Sequence, residues 1–379
     1  MRFLHTADWH IGKKLHGYDL LEDQAFILKQ ILTVAKAEKV DAIVIAGDLY
    51  DRSVPSEDGV RLLNQTIAAM NLTEGIPLLA ISGNHDSATR LATGAPWFAH
   101  SNFHLHTRLD QAFTPVIMQD TAFFLLPYFE PVDARIYFDN PDIRTIHDAM
   151  PLVIDKMKEN FDSQLKQVLI SHFFVSGSSR SDSETKVEVG GLDGINGSLL
   201  EDFDYVALGH LHNKNALNLA NARYSGSPLK YSLSEKEQKK GVWIVETEEK
   251  LNLQFIELTP LRELQELQGT FAHFLDPEIY QQLNRENYYS LLLEDRSIIP
   301  NMMNQLRKVY PRVLQVERLY GRENSQQLSV KKLKEQTPIE LTEEFFTTIV
   351  QSAPTSRQQK WIEQTLHQLM KKGGAADAS

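Results

Sequence analysis

Short apolar runs that end in a polar residue recur through the first two-thirds of the chain. They are Phe3–Leu4 ahead of Asp8, AIVIAGD at 42–48, PLLAISGNHD at 77–86, VLISH at 168–172 and YVALGH at 205–210. Runs this short and rich in Val, Ile and Leu predict buried strands. Between the early runs the spacing changes to a helical period, with Phe26, Ile27, Ile31, Val34 and Ala35 over 22–38 and Val60, Leu63, Ile67 and Met70 over 57–70. Alternating strand and helix predicts an α/β domain. In such domains ligands gather where strand ends meet loops, and every polar terminus above falls at one.

The sheet pattern continues through 222–232 and 241–258, and the alternation of 251–258 predicts an edge strand of an antiparallel pair. Thr259–Pro260 closes a first domain, 1–259. Residues 260–334 read as a small α+β domain: a helical LRELQELQ segment, a strand at YYSLLLED, a helix around 300–309 and a strand at VLQVERLY. From Pro338 two helical patterns, 339–352 and 355–371, are split at Ala353–Pro354–Thr355. They make up a C-terminal segment, 335–372, ahead of a loose GGAADAS tail at 373–379.

Composition changes this picture in three ways. The 379 residues exceed one compact core, with 42% hydrophobic and 23% charged residues in the ordinary globular range. No apolar run is long enough to span a bilayer, and MRFLHTADWH lacks a leader-like apolar core, so a cytoplasmic protein without membrane contact is expected. With no cysteine, disulfides, thiolate metal sites and a cysteine nucleophile are excluded, and any metal must sit on N and O ligands, as Mn, Mg, Fe or Zn do. The net charge of −11 argues against a nucleic-acid partner. Bound divalent cations, however, reverse the sign of a carboxylate-lined cleft.

The strand-end residues carry the candidate chemistry: Asp8 and His10, Gly47–Asp48, Gly83–Asn84–His85–Asp86, His172, and Gly209–His210–Leu211–His212. Seven of these side chains, Asp8, His10, Asp48, Asn84, His172, His210 and His212, fill two hard-cation sites if one carboxylate bridges. Two cations roughly 3.5–4 Å apart clamp the attacking and departing oxygens of an in-line phosphoryl displacement. Each piece alone is weak. His104 and His106 also form an H-x-H pair, but no glycine precedes them, and they read as ordinary exposed strand. His5, His16, His100, His147, His273 and His367 are likewise assigned no ligand role.

The order D-x-H, G-D-x-x-D, G-N-H-D, lone His, G-H-x-H resembles the signature of calcineurin-like metallophosphoesterases. Within that superfamily FLHTADWHIGKKLHG, VIAGDLYDRSVPS and SGSPLKYSLSEKEQKKGV resemble the bacterial SbcD-like nucleases, homologues of the eukaryotic double-strand-break repair nuclease. The resemblance implies a two-sheet sandwich flanked by helices, a small capping domain that positions DNA, and a C-terminal helix pair. It implies Mn²⁺, with Mg²⁺ possible: Asp8, His10, Asp48 and His212 hold one ion, and Asp48 bridges to a second completed by Asn84, His172 and His210. His85 corresponds to the family's catalytic histidine. Asp51 either orients a ligand histidine or shapes a turn, Asp86 does the same or caps the helix near Ser87, and Arg52 is a candidate phosphate contact.

The same resemblance implies an ATP-dependent double-strand exonuclease and single-strand or hairpin endonuclease in DNA repair and recombination. No G-x-x-x-x-G-K-[ST] occurs, so the ATPase is expected in a partner of the SbcC type, gripped by Ile339, Leu341, Phe345, Phe346, Ile349, Trp361, Ile362, Leu366 and Leu369. A homodimer through helices near 57–70 and 88–99 is implied as well. The competing reading is a phosphoprotein or small-molecule phosphatase on the same scaffold, favoured by Asp51–Arg52 and disfavoured by Ser53 and GNHD. A DNA-end-binding scaffold with a vestigial site is a third.

Overall fold

The buried apolar runs fold into strands covered on both faces. The structure, a computed structural model, describes residues 1–179, 181–184, 194–297, 299–319, 337–350 and 352–373. Along the chain, Arg2–Thr6 forms β1, Lys14–Leu15 and Tyr18–Asp19 form a short hairpin (β2 and β3), and Ala42–Ala46, Leu78–Ile81 and Phe103–His106 form β4, β5 and β6. Val116–Met118 (β7), Thr121–Leu126 (β8), Lys166–Ser171 (β9), Tyr205–Leu208 (β10) and Ala222–Tyr224 (β11) follow. Gly241–Glu246 (β12) and Asn252–Glu257 (β13) close the series.

Two sheets result, ordered β13-β12-β1-β4-β5-β6 and β11-β10-β9-β8-β7. β1, β4, β5 and β6 run parallel, as do β8, β9, β10 and β11; β13 is an antiparallel edge, as its alternation predicts. Between the sheets Phe3, Val44, Leu79 and Ile81 meet Phe123, Leu125, Val168, Ile170, Tyr205 and Ala207 in one core. This is the expected sandwich. His5 lies fully buried there, its Nδ1 3.0 Å from the Tyr205 hydroxyl.

Helices cover the outer faces. Leu21–Ala37 (α1) buries Ile27, Leu28, Ile31 and Ala35, matching its apolar period. Glu57–Ile67 (α2) is capped by the Ser56 hydroxyl, which accepts the Gly59 N–H at 3.2 Å. The single helix expected over 88–99 is instead two short ones, Ala88–Leu91 (α3) and Ala95–Phe98 (α4), broken at Gly94 with φ +89°. Pro131–Phe138 (α5) and Ile146–Lys158 (α6) cover the second sheet, where Val153, Ile154 and Met157 join a core with Phe124, Leu126 and Leu169. In the expected strand of 222–232 only Ala222–Tyr224 pairs. His104 and His106 are half-buried on β6, not exposed.

The chain divides into two compact units, Met1–Leu264 and Gln265–Ser379. The segment read as helical LRELQELQ is a strand, Leu264–Gly269 (β14), lying beside Tyr288–Leu293 (β15) in a three-stranded sheet with Val313–Arg318 (β16). Pairing with an otherwise unpartnered strand edge overrides the local helical pattern. Around that sheet lie Phe271–Phe274 (α7), Pro277–Tyr280 (α8) and Met302–Val309 (α9), with Phe274, Tyr289, Leu291, Leu293, Leu306, Tyr310 and Val313 as core. Pro338–Val350 (α10) and Ser356–Gly373 (α11) contact each other. The expected boundary at 334–335 and residues 374–379 of the tail lie outside the described residues. Among the described residues no helix is long and apolar enough to cross a membrane.

Candidate metal centre

Each polar terminus follows the C-terminal end of a parallel strand: Asp8 and His10 after β1, Asp48 after β4, Asn84 and His85 after β5, His172 after β9, and His210 and His212 after β10. Backbone bonds lace the loops together, with the Asp8 N–H donating to the Gly47 carbonyl at 3.1 Å and the His10 N–H to that of Asp48 at 3.0 Å. Asp8, His10, Asp48 and His210 all take left-handed φ values, 54°, 45°, 52° and 94°. Non-glycine residues adopt this region rarely and at a cost, and they cluster at functional sites. Two glycines are needed for close approach. A Cβ on Gly47 (φ +90°) would lie 2.3 Å from His172 Nδ1, and one on Gly209 1.9 Å from the Ala46 carbonyl oxygen.

The seven side chains converge. His10 Nε2 and His212 Nε2 are 3.1 Å apart, and Asp48 Oδ2 lies 3.5 Å from His10 Nε2 and 3.3 Å from His172 Nε2. Asn84 Oδ1 lies 3.0 Å from His172 Nε2 and 3.1 Å from His210 Nδ1. The Asp8 carboxylate accepts the His210 N–H at 3.0 and 3.2 Å. Two fully buried triads stand out, Asp8–His10–His212 and Asp8–Asp48–His172, each with ligand atoms within 4.8 Å of one another. His172 Nδ1 lies 2.8 Å from the Ala46 carbonyl, a bond that requires the proton on Nδ1 and leaves Nε2 facing the site.

Burial and neighbouring charges shift the titration of these side chains. Burial pushes Asp8 up to about 7 and holds His10 well below its ordinary value, as a neutral ring. Burial opposes the charge on Asp48 as well, but His172, His10 and His85 outweigh it and hold this carboxyl far below the usual range. Burial likewise opposes charge on His172, yet Asp48 beside it lifts it to about 9. Two ring nitrogens facing each other at 3.1 Å repel unless a proton or cation lies between them. The all-N,O donor set fits hard divalent ions.

The weaker candidates fall at the margin of this centre. His85 Nδ1 bonds the Asp51 carbonyl at 2.9 Å, and its Nε2 sits 4.0 Å from Asp48 Oδ2. The Asp51 carboxylate pairs with Lys13 at 2.7 Å and lies 3.7 Å from His10 Nδ1. Asp86 does not cap α3; Ser87 does, accepting the Arg90 N–H. Asp86 instead accepts the N–H groups of Leu49, Tyr50 and Gly83 at 3.1, 2.9 and 3.0 Å, tying the loop that carries Asp48 to the one that carries Asn84. The Arg52 side chain is 82% exposed, with Asp51 3.6 Å away. Sequence reading missed Gln24, whose amide donates to the His10 carbonyl at 2.7 Å, and a buried group around Glu235 behind His212. The only signal for the second was the family-like run 225–242.

Residues 1–214 match the calcineurin-like phosphoesterase family, and residues 260–349 match the type 5 capsule protein repressor C-terminal domain. The SbcD component of nuclease SbcCD from Staphylococcus saprophyticus is 36% identical over 98% of this chain and all of its own length. Its counterpart from Staphylococcus epidermidis is 37% identical over 90% of this chain and 92% of its own. Among solved structures, a dimetal phosphatase from Danio rerio aligns over 69% of this chain and 98% of its own at a TM-score of 0.44 and 13% identity. With relatives at this identity over nearly its whole length, the chain belongs to the SbcD nuclease family of calcineurin-like phosphoesterases, metal-dependent phosphodiester hydrolases.

Proposed function

We propose that the chain hydrolyses DNA phosphodiester bonds with two Mn²⁺ ions, as the nuclease component of a complex with an SbcC-type ATPase. The observation that carries this reading is the buried Asp48 carboxylate, whose Oδ2 lies 3.5 Å from His10 Nε2 and 3.3 Å from His172 Nε2, between the two ligand sets. Asp8, His10, Asp48 and His212 would hold one ion, and Asp48, Asn84, His172 and His210 the other. Bound there, two divalent cations supply Lewis acidity to the scissile phosphate and make a water nucleophile available near neutral pH.

The chain's own residues do the rest. With its Nδ1–H given to the Asp51 carbonyl, His85 presents Nε2 to the site, and in the imidazolium form that nitrogen carries the proton handed to the departing oxygen, leaving the neutral ring behind. Asp51 and Asp86 keep His10 and the Asp48 loop in place. Arg52, whose exposed guanidinium lies 3.6 Å from Asp51, would reach a phosphate outside the centre.

The deciding experiment compares Mn²⁺-dependent cleavage of a double-stranded oligonucleotide with hydrolysis of a phosphopeptide, with and without the ATPase and in Mn²⁺ against Mg²⁺. Cleavage of the oligonucleotide alone supports the nuclease; phosphopeptide hydrolysis alone supports the phosphatase reading. Linear ends, hairpins and single strands as substrates separate exonuclease from endonuclease action. For the partner, α10 and α11 expose Phe345, Ile349 and Trp361, an apolar set suited to a helical partner. Deleting 335–379 should abolish co-purification with the ATPase. For a homodimer, α2 and the α3–α4 segment line an apolar cavity of about 430 Å³ with Val60, Leu63, Ile67, Leu91 and Phe98, beside the exposed Trp97. Light scattering that finds a monomer at micromolar concentration would remove this proposal.

A further inference from the structure

Behind His212, on the side away from His10, lies a fully buried carboxylate that the phosphodiester chemistry does not itself use. Glu235 is 0% exposed and pairs with Lys240 at 2.5 Å, itself 6% exposed. Its Oε1 lies 3.5 Å from His212 Nδ1, and the Ser183 hydroxyl stands between them, 2.6 Å from Nδ1 and donating to Glu235. Lys240 Nζ also donates to the His212 carbonyl at 2.8 Å and to the Ser227 hydroxyl at 2.9 Å. The His212 N–H donates to Glu184 Oε1 at 2.7 Å. His212 is therefore held at its ring, its carbonyl and its amide by one charged network.

The chemistry of that network has a direction. Ser183 gives its proton to the Glu235 carboxylate, so towards His212 it offers only lone pairs. Nδ1 must then carry the ring proton, and Nε2 is left with its lone pair facing His10 and the centre. A buried ion pair adds little stability by itself, because desolvation of both charges offsets their attraction. Its consequence lies in what it orients. A carboxylate behind a ligand histidine fixes the tautomer and ring plane and makes the imidazole a better donor.

We infer that Glu235 is a positioning residue for the metal centre: acting through Ser183, with Lys240 as its counter-charge, it fixes His212 in the tautomer that presents Nε2. The inference rests on the two-metal reading. It assigns a role to the run 225–242 that the ligand set leaves unexplained.

The test is calorimetric titration of the metal-free full-length chain with Mn²⁺ alone. The native chain should bind two ions. In Glu235→Gln one site should weaken about 10–100-fold while the other stays within about twofold. Because Glu235→Gln leaves Lys240 without its counter-charge, the double variant Glu235→Gln/Lys240→Met removes both charges and should show the same selective loss. ¹⁵N histidine spectra of the metal-free chain should show Nδ1-protonated His212 in the native protein and a tautomer mixture in both variants. Native affinity at both sites, equal loss at both, recovery in the double variant or an unchanged tautomer would each overturn the inference. Failure of the native chain to bind Mn²⁺ would instead defeat the two-metal reading itself, and this inference with it.

Discussion

His10 and His212 are 202 positions apart in sequence, yet their Nε2 atoms face each other at 3.1 Å. The loops of the first sheet contribute one ring and those of the second sheet the other, with Asp48 Oδ2 3.5 Å from His10 Nε2 beside them. A divalent ion is the natural occupant of the space between the rings.

Occupancy should follow from this geometry. His10→Ala should leave one Mn²⁺ per chain. Asp48→Asn should weaken both ions by at least about tenfold, because Asp48 Oδ2 lies within 3.5 Å of His10 and 3.3 Å of His172. Titration with the metal content read by mass spectrometry checks both. Retention of two tight ions by Asp48→Asn would exclude a bridging carboxylate.

His85 should separate binding from turnover. Its ring nitrogen Nδ1 is bonded to a backbone carbonyl and its Nε2 is 4.0 Å from Asp48 Oδ2, farther than the 3.5 and 3.3 Å of His10 and His172. His85→Ala should keep both ions and lose about 10²–10⁴ in turnover. Loss of an ion together with activity would make His85 a ligand.

Acid sensitivity should come from a residue outside the centre. Burial between the sheets pushes His5 down to about 3, so the folded state keeps it neutral, while the unfolded chain takes up a proton below about 6.5. The stability this residue contributes is complete above pH 6.5 and is lost as pH falls from 6.5 towards 3. Denaturant midpoints at pH 7 and pH 4.5 should drop less in His5→Asn than in the native chain. An equal drop would assign the acid lability elsewhere.

Gly209 should tolerate no side chain. A methyl group there would lie 1.9 Å from the Ala46 carbonyl oxygen and 2.8 Å from His172 Nδ1. Gly209→Ala should cost about 1–3 kcal/mol or more and weaken Mn²⁺ binding, seen as a lower melting temperature and a shallower calorimetric isotherm. A native melting temperature would show that the two sheet ends can separate without penalty.

Much of this centre was legible in the sequence because strand-end ligands repeat one grammar: apolar run, glycine, acid, amide or histidine. The ligands follow strands whose continuous apolarity reflects burial on both faces, which is a strong local signal. The left-handed backbone at Asp8, His10, Asp48 and His210 was not legible, because nothing about those residue types demands it. Nor was Glu235, which meets His212 only through tertiary packing. LRELQELQ misled for the same kind of reason: leucines three apart fit a helix, and only the edge offered by Tyr288–Leu293 makes the segment a strand. The α3–α4 break was signalled by Gly94 and Pro96, and its position follows from the left-handed glycine.

The division of ligands between two sheets has a kinetic consequence. Asp8, His10, Asp48 and Asn84 belong to the first sheet's loops and His172, His210 and His212 to the second's. The complete centre therefore exists only after the two sheets have closed face to face, bringing together ligands 88 to 202 positions apart in sequence. Such closure is among the slowest kinds of contact to form, since the loop entropy must be overcome first. On that order, capture of both ions would follow closure of the sheets, and an ion bound across them would latch a finished sandwich.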